Sequence, residues 1–360
     1  MIKHAEIHEL YSSMQRPVLS LYLHVDAGYQ QNQSNKPAWE IYLKNALSDA
    51  AEQAKEEHAE AWDAIESQVE TFLNDYDVSS KTLVLFASPD DTIAYDLPVT
   101  LENDHAFGEP LLTPLIWALD EYEQYLIAFV DQEKARFIST YLGRANKQGD
   151  MHIDLNYDWR ERTLMPASSG DGRALREGSN REAFEDMIDA HVDRFYQDVA
   201  DQLADLVKES GIKRFILAGN ERAAHHVSEK LHESVAKYQV AIHPTDYNAT
   251  DEQVTDMVLE IGTEHERQQE SQLVDEIIGF AKAEGRGALG KDAVEHAFEM
   301  QQVELLVLPF PPEDEALASE LTLKTMQANS HVELVHGEPA DKLRKEGSVA
   351  ARLYYVPVSS

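Results

Sequence analysis

The sequence predicts an α/β chain of three domains, an α+β unit followed by two α/β sandwiches. Three observations predict it. Short apolar runs of strand length recur beside longer segments whose apolar residues return at helical spacing. Strands alternate with helices through the second half of the chain, the pattern of layered α/β architecture. The length of 360 residues supplies material for more than one hydrophobic core. The boundaries fall at 1–116, 117–248 and 249–360.

In the first unit, Pro17 precedes the run VLSLYLHVD, which reads as a buried strand ending at Asp26. The polar stretch AGYQQNQSNKP leads to a helix from about Ala38, where Trp39, Leu43 and Leu47 recur at helical spacing. A second helix, AWDAIESQVETFLNDY, precedes TLVLFASPDDTIAYDLPV, a strand, an Asp-containing turn and a return strand. The unit ends near Leu111 to Ile116.

The second unit opens with YLIAFVDQEKARFISTYLG, two strands joined by a DQEK turn. A long helix is expected from about Arg181 to Ser210, with Phe184, Ile188, His191, Phe195, Val199, Leu203 and Leu206 on one face. Gly211 is placed to end it, because glycine best tolerates the left-handed conformation beyond a helix. The strand KRFILAG and the helix NERAAHHVSEKLHESV follow. Their Gly-Asn turn could present free amides to an anion, but it is also an ordinary α/β connection. In the third unit a long amphipathic helix, about Glu252 to Glu284, runs into EGRGALG and the helix KDAVEHAFEMQQ. Strand VELLVLP, a helix, strand HVELVH, helical EPADKLRKEG and strand AARLYYVPV complete a three-layer sandwich.

Composition excludes several function classes. There are no cysteines, so disulfides, thiolate metal sites and a cysteine nucleophile are ruled out, and a reducing, cytoplasmic setting is expected. The N-terminus lacks an apolar signal region and no run approaches bilayer length, so no membrane partner is expected. Acids outnumber bases 66 to 31, a net charge of -35, which disfavours non-specific contact with nucleic acid over most of the surface. The acids are spread along helices such as AEEHAEAWDAIESQVE, the distribution of a solvated acidic surface.

One segment departs from this background. Between Asp158 and Glu182 five arginines, Arg160, Arg162, Arg173, Arg176 and Arg181, balance five acids. A locally neutral, Arg-studded loop can approach a polyanion that the remaining surface repels. Gly170, Gly172 and Gly178 leave its backbone free for close approach to a ligand. The plain alternative is a surface loop.

The third unit resembles the C-terminal domain of class I peptide-chain release factors of the archaeal and eukaryotic type, and of their ribosome-rescue relative pelota. The likeness lies in GALGKDAVEHAFEMQQVELLVLP, with Gln302, Val303, Glu304, Leu305 and Leu306 in register with the family's strand. It continues in HVELVHGEPADKLRKEGSVAARLYY, where Gly347, Ala350, Leu353 and Tyr354 hold the closing pattern. The middle unit follows the family order of strand hairpin, loop and long helix with Phe195, Val199 and Ala200. FILAG is similar to the family's Leu-Val-Leu-Ala-Gly strand. VLSLYLHVD and LKNAL look like the bacterial branch of the superfamily, so the resemblance covers almost the whole chain.

In that family the loop before the long helix carries Gly-Gly-Gln, which helps water attack the ester joining peptide to transfer RNA. The resemblance places the motif at Gly178, Ser179 and Asn180, with a rescue branch that uses Gly-Ser-Gln differing by one methylene. If a backbone N–H orients the water, Asn180 can serve; if the side-chain amide must reach a fixed point, about 1 Å of misplacement costs roughly 100-fold. The five arginines would meet RNA phosphates and bases. The family's codon-reading Asn-Ile-Lys-Ser is absent, and Gln33 to Lys36 (QSNK) is no substitute, so stop-codon decoding is not expected.

Other constellations carry less. His225 and Glu229 stand one helical turn apart, a spacing able to bind metal, but no third ligand is visible and a polar helix face is the simpler reading. Trp39, Tyr42 and Lys44 could form a base-stacking surface, although the i, i+3 spacing of the two rings reads as core packing. Ser168 and Ser169 have no evident His and Asp partners. The sequence thus predicts a ribosome-associated, release- or rescue-factor-like hydrolase of peptidyl-tRNA without metal or cofactor. Its expected partners are the ribosome, tRNA and rRNA, with a translational GTPase as a further one. The alternatives are a non-catalytic, pelota-like RNA-binding module and a salt-adapted interaction protein without a ribosomal role. Oligomeric state is left open.

Overall fold

The structure is a computed structural model describing residues 4–55, 58–152 and 173–356, with backbone alone at 4–5 and 173–187. The chain forms two compact units, one made of Met1–Glu123 with Gly262–Ser360, the other of Gln124–Ile261. The mixed α/β class is as predicted, and the described residues hold three sheets, one in each of the three predicted stretches.

The chain begins with α1 (His4–Ser13), β1 (Val18–His24), α2 (Ala38–Ala54), α3 (Ala59–Asn74), β2 (Thr82–Ala87), β3 (Thr92–Leu97), β4 (Asp104–Gly108) and α4 (Thr113–Glu121). The sheet order is β3-β2-β1-β4, antiparallel throughout. Alternate strand residues Leu19, Leu21, Leu23, Leu83 and Leu85 face the helices, where Ala46, Ala50, Trp62, Ile65 and Val69 bury against them. Small alanines on α2 let that helix approach the sheet closely. The expected β1, α2, α3 and β2–β3 hairpin are present; α1 and β4 were not read from the sequence. β4 (DHAFG) lacks the apolar run that marks the others.

The second unit contains β5 (Tyr125–Val130), β6 (Lys134–Tyr141), β7 (Arg144–His152), α5 (Arg173–Ser210), β8 (Phe215–Gly219), α6 (Glu221–Lys230), α7 (Glu233–Ala236) and β9 (Gln239–Pro244). Its sheet runs β7-β6-β5-β8-β9, with β5, β8 and β9 parallel and β6 and β7 antiparallel. Helix α8 (Asp251–Lys282) starts here and continues into the other unit. One sheet face packs against Phe195, Val199 and Leu203 of α5 and Ala223, Ala224 and Val227 of α6. The other packs against Val254, Met257 and Val258 of α8. Both faces of the central strands are therefore covered, which is why β5 and β8 read as continuous apolar runs.

Two expectations for α5 need correction. The helix begins at Arg173, not near Arg181, so the backbone of Gly178, Ser179 and Asn180 is helical rather than part of a loop before the helix. His191, placed on the buried face by its spacing, is exposed. Gly211 ends the helix as expected, at φ +72°, with its N–H donating to Val207 O at 3.0 Å.

The last sheet comprises β10 (Gly287–Leu289), β11 (Val303–Pro309), β12 (His331–Val335) and β13 (Ala350–Leu353), with α9 (Lys291–Glu299), α10 (Glu315–Gln327) and α11 (Gly337–Lys345) between them. The order is β10-β13-β11-β12, β11 and β12 being parallel. Val274, Ile277 and Ile278 of α8 with Ala340 and Leu343 of α11 cover one face, against Leu305, Val307, Val335 and Ala350.

Candidate functional site

Helix α5 is the element that carries the predicted motif. Its C-terminal half is fixed by burial: Phe195, Tyr196, Val199, Ala200, Leu203 and Val207 all lie in the core of the second unit. Val192 is partly buried against the same core, and Ile188 is half-buried. Asn180 stands about four turns before Phe195, which at 1.5 Å per residue is about 22 Å along the helix. Gly178 sits inside the helix, where it costs about 0.5–1 kcal/mol relative to alanine. Nothing in helix formation favours glycine there.

Of the predicted site residues, Gly178, Ser179, Asn180, Arg173, Arg176 and Arg181 share this helical segment, and their side chains lie outside the description. Arg160 and Arg162, like Ser168 and Ser169, lie outside the described residues.

Helix α6 braces α5. The His226 ring stacks on Tyr196 with centroids 5.6 Å apart and planes 9° from parallel, and Lys230 Nζ pairs with Asp193 at 2.7 Å. His226, not His225, faces Glu229, at 3.7 Å and largely in solvent. No group of three or more His, Cys, Asp or Glu side chains able to hold a metal ion occurs among the described residues.

The Gly-Asn turn between β8 and α6 has a structural occupation. Asn220 caps α6 by accepting from Ala223 N at 3.1 Å, and its own N–H donates to Val130 O at 2.9 Å. Trp39 and Tyr42 pack against the first core while Lys44 is exposed, so they form no stacking platform. The Tyr42 hydroxyl lies 2.9 Å from His105 Nδ1; burial, then Asp104 and Asp49, push it up to about 12. In the stretch carrying QSNK, the Gln33 amide donates to Ala27 O at 3.2 Å.

One polar cluster escaped sequence reading. Glu270 on α8 receives Arg267 Nη1 at 2.7 Å and the His336 backbone N–H at 2.9 Å, while Arg267 Nη2 reaches Glu121 on α4 at 2.9 Å. Phe310 tilts against the His336 ring at 5.4 Å and stacks on Trp117 at 5.3 Å. Arg267 and Glu270 are an ordinary i, i+3 helix pair, but Glu121 and His336 are too far away in the chain for any local spacing to join them to it.

This is a mixed α/β chain whose second unit carries a long helix on a five-stranded sheet, the order expected of the release-factor and pelota superfamily. Residues 110–263, a span that includes all of the second unit, match the family described as Bacterial archaeo-eukaryotic release factor family 10, and the resemblance to that superfamily holds. No curated protein matches the chain. Among solved structures it is similar to the archaeal translation termination factor aRF1, at 17% identity over 98% of both chains with a TM-score of 0.28. It is also similar to Dom34 of S. cerevisiae, at 10% identity over 77% of this chain and 81% of that one, TM-score 0.46. A model of ribosome-bound archaeal Pelota and ABCE1 gives 12% identity over 99% and 96%, TM-score 0.45. Likeness of this size assigns no function. No helix among the described residues is long and apolar enough to cross a membrane.

Proposed function

We propose that the chain is a ribosome-associated release- or rescue-factor-like protein that hydrolyses the ester of peptidyl-tRNA. The observation that carries the reading is the family match over residues 110–263, which includes the segment bearing Gly178, Ser179 and Asn180. In this reading the segment enters the ribosome, a backbone N–H at Ser179 or Asn180 orients the attacking water, and the same donors stabilise the developing oxyanion. Arg160, Arg162, Arg173, Arg176 and Arg181 bind RNA, offsetting the repulsion between a chain of charge -35 and a polyanion. The partners are the ribosome, tRNA and rRNA, with a translational GTPase as the further partner implied by the family. The setting is the cytoplasm.

Asn180 favours a second reading, because its amide is one methylene shorter than that of glutamine. Under it the protein is a pelota-like binder without hydrolysis. Release of a labelled peptide from peptidyl-tRNA on purified ribosomes, at low and at molar salt, separates the two. Release that Gly178→Ala and Asn180→Ala abolish supports the hydrolase. Pelleting with ribosomes but no release, with activity appearing only in Asn180→Gln, supports the binder. Failure to pellet removes both.

A further inference from the structure

The second unit carries a cationic patch at the end opposite the predicted motif. Lys208 lies in the last turn of α5, Lys213 precedes β8 and Lys237 precedes β9. Strands β8 and β9 run parallel with Phe215 opposite Gln239, and the Phe215 N–H donates to Tyr238 O at 2.9 Å. Lys213 and Lys237 each stand two residues before that register pair, so they flank the same sheet end on strands about 4.8 Å apart. The tight turn at Gly211, with Ile212 N donating to Ser210 Oγ at 3.2 Å, returns the chain from Lys208 to the same end.

All three lysines are exposed, and among the described residues none has an ion-pair partner. Lys237 instead lies 4.9 Å from the centre of the Tyr238 ring. The window KESGIKR holds three bases, Lys208, Lys213 and Arg214, against one acid, Glu209, in a chain where acids outnumber bases 66 to 31. The other nearby acids along the chain are Asp205, exposed one turn before Lys208 on α5, and Glu233 on α7. Lys208 also complements the negative C-terminal end of α5, but that role does not extend to Lys213 and Lys237.

We propose that Lys208, Lys213 and Lys237 form a second RNA-phosphate contact, about 42 Å along α5 from Asn180 at 1.5 Å per residue. The chemistry suits a phosphate backbone, since lysines are hydrated point charges that neutralise phosphates without reading bases. It does not suit a lipid surface. The exposed large apolar residues, among them Ile41, Leu259, Met300 and Tyr354, all lie outside residues 208–237, and membrane adhesion needs an apolar face beside the charge. This inference rests on the reading that the chain binds ribosomal RNA, and it adds a surface remote from the hydrolytic segment.

The test is co-sedimentation of the full chain with purified large ribosomal subunits across a KCl series. Wild type is compared with a triple Lys208→Ala, Lys213→Ala, Lys237→Ala variant and with a control triple at Lys55, Lys81 and Lys345, exposed lysines of the other unit. Each phosphate contact contributes about 0.7–0.9 to the slope of log affinity against log salt, so the patch triple is expected to lose about 2. The control should keep the wild-type slope, and Lys→Arg changes at the three patch positions should restore it. Circular dichroism of each variant separates loss of charge from loss of fold. If wild type binds and the two alanine triples give equal slopes, the patch has no such role and the ribosomal reading stands. If wild type does not pellet at any salt, the ribosomal reading falls and the patch with it.

Discussion

The carboxylate of Glu270 accepts the backbone N–H of His336 at 2.9 Å and lies 3.1 Å from the same residue's Nδ1. At 3% exposure Glu270 has no water to replace these partners, and Arg267 supplies the balancing charge. Helix α8, helix α4 and the turn after β12 are joined through this one side chain and its guanidinium partner.

Removing that carboxylate should be among the most damaging single changes in the chain. Glu270→Ala leaves the His336 N–H without its acceptor and Arg267 with Glu121 alone, a loss of about 3 kcal/mol. Glu270→Gln keeps one acceptor oxygen and should lose less. Urea unfolding of both variants decides the point; equal and small shifts would show that the cluster contributes nothing net.

Gly219 should tolerate no side chain. It has φ +99°, and a Cβ there would stand 2.4 Å from Val130 O, a backbone atom of the adjacent strand. Gly219→Ala is expected to cost about 3 kcal/mol, strain in a disfavoured backbone region plus displacement of β5. Thermal unfolding measures it, with Gly211→Ala as comparison, since Gly211 has positive φ but open space around its Cβ position.

Acid should weaken the seating of α1. Burial lowers the His8 pKa from 6.5, the charge of His331 lowers it further, and the carbonyls of Ser330 and Met326 oppose both. The folded state thus favours the neutral ring, so its contribution is complete above pH 6.5 and is lost as pH falls toward the depressed folded value. Between pH of about 7.5 and about 5, wild type should lose Tm relative to His8→Gln. A difference between the two that does not change with pH would count against this assignment.

Salt should act on fold and RNA binding in opposite directions. A net charge of -35 repels itself, and raising ionic strength from about 0.1 M to about 1 M shortens the screening length from about 10 Å to about 3 Å. The Tm is expected to rise by several degrees over that range while ribosome affinity falls. A Tm unchanged or lowered by KCl would show that the acids are already neutralised within the fold.

The patterned elements were legible in the sequence. VLSLYLH, YLIAFV, FILAG and VELLVLP read as strands and are strands, because runs buried on both faces need no partner to be recognised. β4 and β7 were not legible, since DHAFG and RANKQGDMH are polar segments held by pairing to a neighbouring strand. The start of α5 was misplaced by eight residues, a little over two turns, because glycines at 170, 172 and 178 argue locally for a loop. The fit of Phe195 and Val199 to the core was read correctly, whereas the exposure of His191 was not, periodicity alone not telling where a helix leaves its sheet.

By itself the sequence determined the α/β class, the acidic surface, the absence of thiol chemistry and the local Arg-rich segment. These follow from composition and near-neighbour spacing, which act along the chain. Tertiary structure alone decided that the first and third stretches make one compact unit, that Glu121, Arg267, Glu270 and His336 meet, and that Lys213 and Lys237 share one sheet end. Each depends on register and packing between residues distant in sequence, where the energies that select a partner arise only after the sheets have formed.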